Sequence, residues 1–181
     1  PTVYYGLMYL AKNAKKEVKI HTPYIICNDY MYNELKNINV PTTIMTNSAE
    51  NNGNIFGAVD YLSHKKDIIN TGVTIKEYEG GISYHGKSMT IDDDIAIVGS
   101  FNMDMRSAYI DTELMLVINS KDINKQLKAS MEEYEKKAAT VKNETEYSHI
   151  PEGMKMKELS DKKKNIKAWF GWAMNGLRFL F

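Results

Sequence analysis

At 181 residues, with 43% hydrophobic and 25% charged side chains, the chain can bury one well-formed core and is short for two full domains. Its 23 basic residues are matched by 23 acidic ones, which removes the simplest electrostatic argument for a nucleic-acid partner. The only cysteine, Cys27, cannot form an internal disulfide; no Cys/His cluster has structural-zinc spacing, and neither a membrane-spanning apolar run nor a signal peptide is present.

In chain order, Val3, Leu7, Leu10 and Ala14 fall at helical spacing, and Glu17 to Thr22 reads as a buried strand stopped by Pro23. A helix is predicted around Asp29 to Lys36, then a strand near Thr42 to Thr46 and a loop dense in Asn, Ser and Gly from Asn47 to Asn54. Ile55, Val59, Leu62 and Ile69 mark a further helix, with Gly72 as its C-terminal stop, and Val73 to Tyr78 returns as a strand. Met89 to Ile91 and Ile95 to Val98 flank Asp92-Asp93-Asp94, which is a hairpin pattern. Glu113 to Ile118 is an apolar strand, and Ile123, Leu127, Met131 and Tyr134 give an amphipathic helix. Strands alternating with helices, followed by a meander, predict an α/β fold: a mixed sheet flanked by helices on both faces.

Beyond that helix the pattern changes twice. Residues 1–138 are expected to form the catalytic unit, 139–160 a polar linker, and 161–181 an amphipathic tail helix. The tail carries Lys162, Lys163 and Lys164, then Trp169, Phe170, Leu177, Leu180 and Phe181 on one helical face. Lysines beside an apolar face suit an anionic phospholipid surface, each contributing about 1 kcal/mol there. Docking of the same face onto the protein body is the competing reading.

The chemistry is concentrated in Ser83-Tyr84-His85-Gly86-Lys87-Ser88-Met89-Thr90-Ile91-Asp92. On an extended backbone His85 and Lys87 share a face, with only the hydrogen of Gly86 between them. An imidazole beside an ammonium suits a phosphate without a metal. Six residues past Asp92 follow Gly99-Ser100-Phe101-Asn102, then Asp104, Arg106 and Glu113. His85, with an ordinary pKa near 6.5, is the candidate nucleophile or general acid. Lys87 is placed to hold non-bridging phosphate oxygens, and Asn102 to donate an amide hydrogen bond to them, with Ser100 and Gly99 shaping the turn. Three successive carboxylates at Asp92-Asp93-Asp94 could also be read as a hard-cation site, although such a run on a turn usually faces water. His21, His64 and His149 have no comparable context.

The spacing His85-x-Lys87-(four)-Asp92-(six)-Gly99-Ser100-x-Asn102 resembles the HKD signature of the phospholipase D superfamily. Asn102-Met103-Asp104-Met105-Arg106-Ser107, Asp111-Thr112-Glu113 and the upstream His21-Thr22-Pro23-Tyr24-Ile25-Ile26 are similar to the bacterial cardiolipin synthase branch, over roughly residues 1–138. The resemblance implies a phosphohistidine mechanism that needs two histidines and no cofactor or metal. Glu113 would orient His85 through Nδ1, Asp111 being its rival on the same strand face, and Asp92 would fix the hairpin turn. Because only one motif is present and Pro1 is not a natural initiator, the chain is expected to be the C-terminal half of a longer enzyme. Its partner would be the N-terminal HKD half or a second copy. The implied activity is a phosphatidyltransferase of cardiolipin synthase type, associated with the cytoplasmic face of a bacterial membrane and without a nucleic-acid partner. The alternatives are a hydrolytic phospholipase D, a one-motif nuclease acting as a homodimer, and a non-enzymatic membrane-docking module.

Overall fold

The computed structural model describes residues 2–173, the last four by backbone alone, and residue 178. The elements run α1 (Thr2–Lys12), β1 (Val18–His21), β2 (Ile25–Ile26), α2 (Asp29–Lys36), β3 (Thr42–Asn47), α3 (Ile55–Ile69), β4 (Thr74–Tyr78), β5 (Ser88–Ile91), β6 (Ile95–Gly99) and β7 (Met103–Asp104). They continue α4 (Met105–Tyr109), β8 (Met115–Asn119), α5 (Lys121–Glu135), β9 (Ala138–Val141), β10 (Tyr147–His149) and α6 (Asp161–Ala173). Side-chain caps set several helix starts: Asn28 Oδ1 accepts from Met31 N, Asn54 Oδ1 from Phe56 and Gly57 N, and Ser120 Oγ from Ile123 N.

The main sheet has eight strands in the order β10-β9-β4-β3-β1-β5-β6-β8. β1, β3 and β4 are mutually parallel, and the flanking pairs β1/β5, β5/β6, β6/β8, β4/β9 and β9/β10 are antiparallel. Strand alternation divides the side chains between two layers. Val18, Ile20, Ile44 and Ile75 join the main apolar core with residues of α1, α2 and α3. The intervening Lys19, His21 and Lys76 point the other way, to Glu132 and Glu135 of α5. The predicted sheet with helices on both faces is what forms.

Residues 139–160 do not all behave as a linker. Ala138–Val141 pairs antiparallel with β4, and Tyr147–His149 extends the sheet by one further short strand. Ala138 and Ala139 are fully buried, so the folded unit built on this sheet continues past residue 138.

The tail helix lies on the protein body, with α6 packed against α3. Lys163 departs from its expected membrane-facing position: it is 7% exposed, and its ammonium donates to the carbonyls of Ala49, Glu50 and Asn52. Further on, Arg178 Nε donates to Asp60 Oδ1 at 2.6 Å and Nη2 to the Cys27 carbonyl at 2.9 Å. Lys162, Lys164 and Trp169 face outward, Trp169 being 73% exposed. The side chain of Phe170, and Leu177, Leu180 and Phe181, lie outside the described residues. Among the described residues no helix is long and apolar enough to cross a membrane.

Asp92 holds the tip of the β5–β6 hairpin to the rest of the sheet. It sits at φ +51°, and its carboxylate accepts from the N–H groups of Lys15, Lys16 and Glu17 at 2.7–3.2 Å. Partial burial alone would raise its pKa; those donors outweigh burial and hold it below the usual carboxylate range. Asp93 pairs with Lys16 and Lys128. Two of the three turn carboxylates are therefore engaged with protein donors, and among the described residues no cluster of His, Cys, Asp and Glu could hold a metal ion. Asp92→Ala is expected to cost about 1.5–3 kcal/mol in urea unfolding at pH 7, the range for charge-assisted hydrogen bonds. Because the folded pKa is depressed, the difference from wild type should shrink as pH falls through it; a difference independent of pH would contradict this.

Candidate active site

The segment from Ser83 to Lys87 belongs to no strand, since β5 begins only at Ser88. Its backbone is satisfied from outside. Asn47, at the end of β3, clamps Tyr84 from both sides: Tyr84 N donates to Asn47 Oδ1 at 2.7 Å, and Asn47 Nδ2 donates to the Tyr84 carbonyl at 2.8 Å. Asn51 Nδ2 reaches the Ile82 carbonyl at 3.2 Å, and Gly53 N donates to Ser83 Oγ at 3.1 Å. Gly86 is required here because a Cβ would collide with the Tyr84 phenol.

This clamp delivers His85 and Lys87 to the same side, as their spacing predicts. Lys87 Nζ donates to His85 Nδ1 and to the His85 carbonyl, each at 2.9 Å. With Nδ1 accepting, the hydrogen of the neutral ring resides on Nε2. Partial burial, then the neighbouring ammonium, lowers the His85 pKa, so the free base prevails at neutrality. The Lys87 pKa is also lowered, chiefly by burial, against the pull of Glu113 and Asp104. Imidazole and ammonium stand at a cleft of about 720 Å³ that extends over Tyr78, Tyr84 and Val98 to Leu127, Met131 and Tyr134.

Glu113 does not contact His85. Its carboxylate is held by two hydroxyls: Ser107 Oγ donates to Oε1 at 2.7 Å, and Ser100 Oγ to Oε2. The cause is local. Ser100 N donates to the Leu114 carbonyl and Leu114 N to Ser100 Oγ, which draws the start of β8 against the turn after β6. Gly99 permits that approach, since a Cβ there would strike the Leu114 carbonyl. Asp111 is no substitute for Glu113 beside His85, because it pairs with Arg106 at 3.0 Å.

Asn102 belongs to the same network. Its N and Nδ2 both donate to Ser107 Oγ at 3.3 Å, while its Oδ1 is buried without a partner among the described residues. Asp104 caps α4 by accepting from Ser107 N at 2.5 Å. Burial raises the Asp104 pKa to about 6 despite that bond, with Glu113 and Asp111 adding to the shift. Ser107 is thus the junction of Asn102, Asp104 and Glu113, a role its place in the motif did not disclose. Asn47 and Asn51 were visible only as members of a polar loop, and nothing in their spacing marks them as a clamp.

The fold is that of a phospholipase D-like domain. A family model described as "Cardiolipin synthase, PLD-like domain" matches residues 7–134. Cardiolipin synthase 1 of Staphylococcus epidermidis is 31% identical over 157 residues, covering 85% of this chain and 31% of that protein. Cardiolipin synthase 1 of Staphylococcus aureus is 29% identical over the same share of the chain. Among solved structures, phosphatidylserine synthase from Haemophilus influenzae superposes with a TM-score of 0.67 at 16% identity, over 91% of this chain and 41% of that one. The phospholipase D family member Nuc from Salmonella typhimurium gives 0.61 at 16% identity, over 76% of this chain and 89% of that one. The chain belongs to the cardiolipin synthase-like branch of the phospholipase D superfamily. It spans about a third of the length of the curated relatives it matches.

Proposed function

We propose that the chain is the C-terminal, HKD-bearing half of a phosphatidyltransferase of cardiolipin synthase type, with phosphatidylglycerol or a related anionic phospholipid as donor. The observation that carries this reading is the Lys87–His85 pair at the mouth of the cleft. A phosphodiester entering there offers non-bridging oxygens to the ammonium, which leaves Nδ1 for them. The ring hydrogen can then occupy Nδ1, and Nε2 presents its lone pair to phosphorus. A nitrogen–phosphorus bond forms as the bond to the leaving alcohol breaks. A second histidine, from an N-terminal HKD half or a second copy, protonates that alcohol. Transfer to another lipid alcohol regenerates His85; transfer to water would make the same site hydrolytic. In the reverse assignment His85 supplies the proton and its partner attacks. Asn102, released from Ser107, would join Lys87 on the phosphate oxygens.

Lys162, Lys164 and Trp169, exposed on α6, are the tail residues suited to an anionic leaflet on the cytoplasmic side. The test uses the complete protein with radiolabelled phosphatidylglycerol and, separately, plasmid DNA. Cardiolipin formation supports the proposal; phosphatidic acid without cardiolipin replaces transferase by hydrolase, and nicked DNA without lipid turnover overturns it.

A further inference from the structure

We propose that Lys163 is a positioning residue for the His85–Lys87 segment, acting from the tail helix through the loop of residues 47–54. The reason to care about that segment rests on the function proposed above; the contacts themselves do not. A lysine ammonium has three N–H donors and no acceptor. Those of Lys163 meet the carbonyls of Ala49 at 2.8 Å, Glu50 at 2.6 Å and Asn52 at 3.0 Å. A buried charge is tolerated only when so satisfied, and the Glu50 carboxylate stands 3.7 Å away, itself accepting from Ser160 N at 3.0 Å. Three carbonyls converging on one point define the path of the loop tightly.

The same stretch of loop presents its other groups to the catalytic segment. Asn47 holds both backbone groups of Tyr84, Asn51 bridges Asn47 Oδ1 at 3.1 Å and the Ile82 carbonyl, and Gly53 N binds Ser83 Oγ. Residues 82–84 have no strand partner, so these bonds fix where His85 starts. The chain of contact is therefore α6 to loop to segment, through one ammonium and two asparagines. Removing the ammonium leaves three carbonyls converging without a donor, and the loop must open to hydrate them.

The test is amide hydrogen exchange on the complete protein. In Lys163→Met, exchange at Tyr84 and Gly53 should rise by about tenfold or more, while Ile44 and Ile75 in the central strands keep their protection. Lys167→Met, on the exposed face of the same helix, should change neither. Lys163→Arg keeps the charge but spreads its N–H donors over a planar fork in place of three on one nitrogen, and should show the same local pattern if the methionine variant fails to fold. Faster exchange confined to residues 49–52, or spread evenly through the core, would overturn the relay. Because exchange is read without turnover, this result is independent of which phosphodiester the enzyme accepts.

Discussion

Replacing His85 by Gln in the complete protein should lower phosphatidyl transfer by about ten-thousand-fold or more, the scale seen when a covalent nucleophile or its acid partner is removed. The ring is exposed and bonded only to Lys87 among the described residues, so stability should stay within about 0.5 kcal/mol. Loss of transfer with unchanged urea unfolding separates a chemical role from a structural one. Lys87→Met should also abolish transfer, and it carries a second signature. Burial and the ammonium together depress the His85 pKa; removing the charge leaves burial alone, so the pKa should rise toward 6.5. Titration of the ring by NMR reads this directly. Substantial transfer by His85→Gln would end the phosphohistidine reading, and an unmoved pKa in Lys87→Met would end the pairing.

Alternation and turn chemistry carried much of this architecture. The run Met89–Ile91, the aspartate turn and Ile95–Val98 could satisfy their backbone groups and bury their apolar faces in few ways other than a hairpin, and β5 and β6 pair in that register. The side-by-side placement of His85 and Lys87 follows from residue spacing on any extended backbone, and so survives although no strand forms there. What stayed hidden depended on partners remote in the chain. β9 and β10 are short and partly polar, without a period of their own; they form because β4 offers an unpaired edge. A lysine in a run of three ordinarily faces water, and only the convergence of three distant carbonyls turns Lys163 inward. Glu113 could be placed near the motif by sequence, but which donor it meets depends on how close Gly99 lets β8 approach. Identity of the residue was legible; its hydrogen-bond partner was not.

The largest stability effect is expected at Glu135. Its side chain is 7% exposed on the inner face of α5, where Oε1 meets His21 Nε2 at 3.2 Å and Oε2 accepts from Lys76 Nζ at 2.5 Å. Lys19 Nζ lies 3.8 Å away. Burial opposes ionisation there, but His21, Lys76 and Lys19 prevail and hold the carboxyl pKa near 2. Glu135→Ala takes the carboxylate from the buried His21 ring and from the Lys76 ammonium, while Lys19 keeps Glu132, and breaking a buried pair in this way costs about 3–5 kcal/mol. The pH dependence has a definite sign. A carboxylate depressed from 4.5 to about 2 contributes its full stability above 4.5 and loses it as pH falls toward 2. His21 acts in the same direction: burial, outweighing Glu135, lowers its pKa below 6.5, so unfolding takes up a proton as pH drops through that range. Wild type should therefore weaken steadily below neutrality in urea unfolding, while Glu135→Gln starts lower and falls less below pH 4.5. The effect reaches the site as well, because the His21 ring stands edge-on to Tyr84 at 5.6 Å, and Tyr84 carries the backbone into His85. Equal unfolding midpoints for wild type and Glu135→Gln at pH 7 would show that the Glu135 carboxylate does not hold α5 to the sheet.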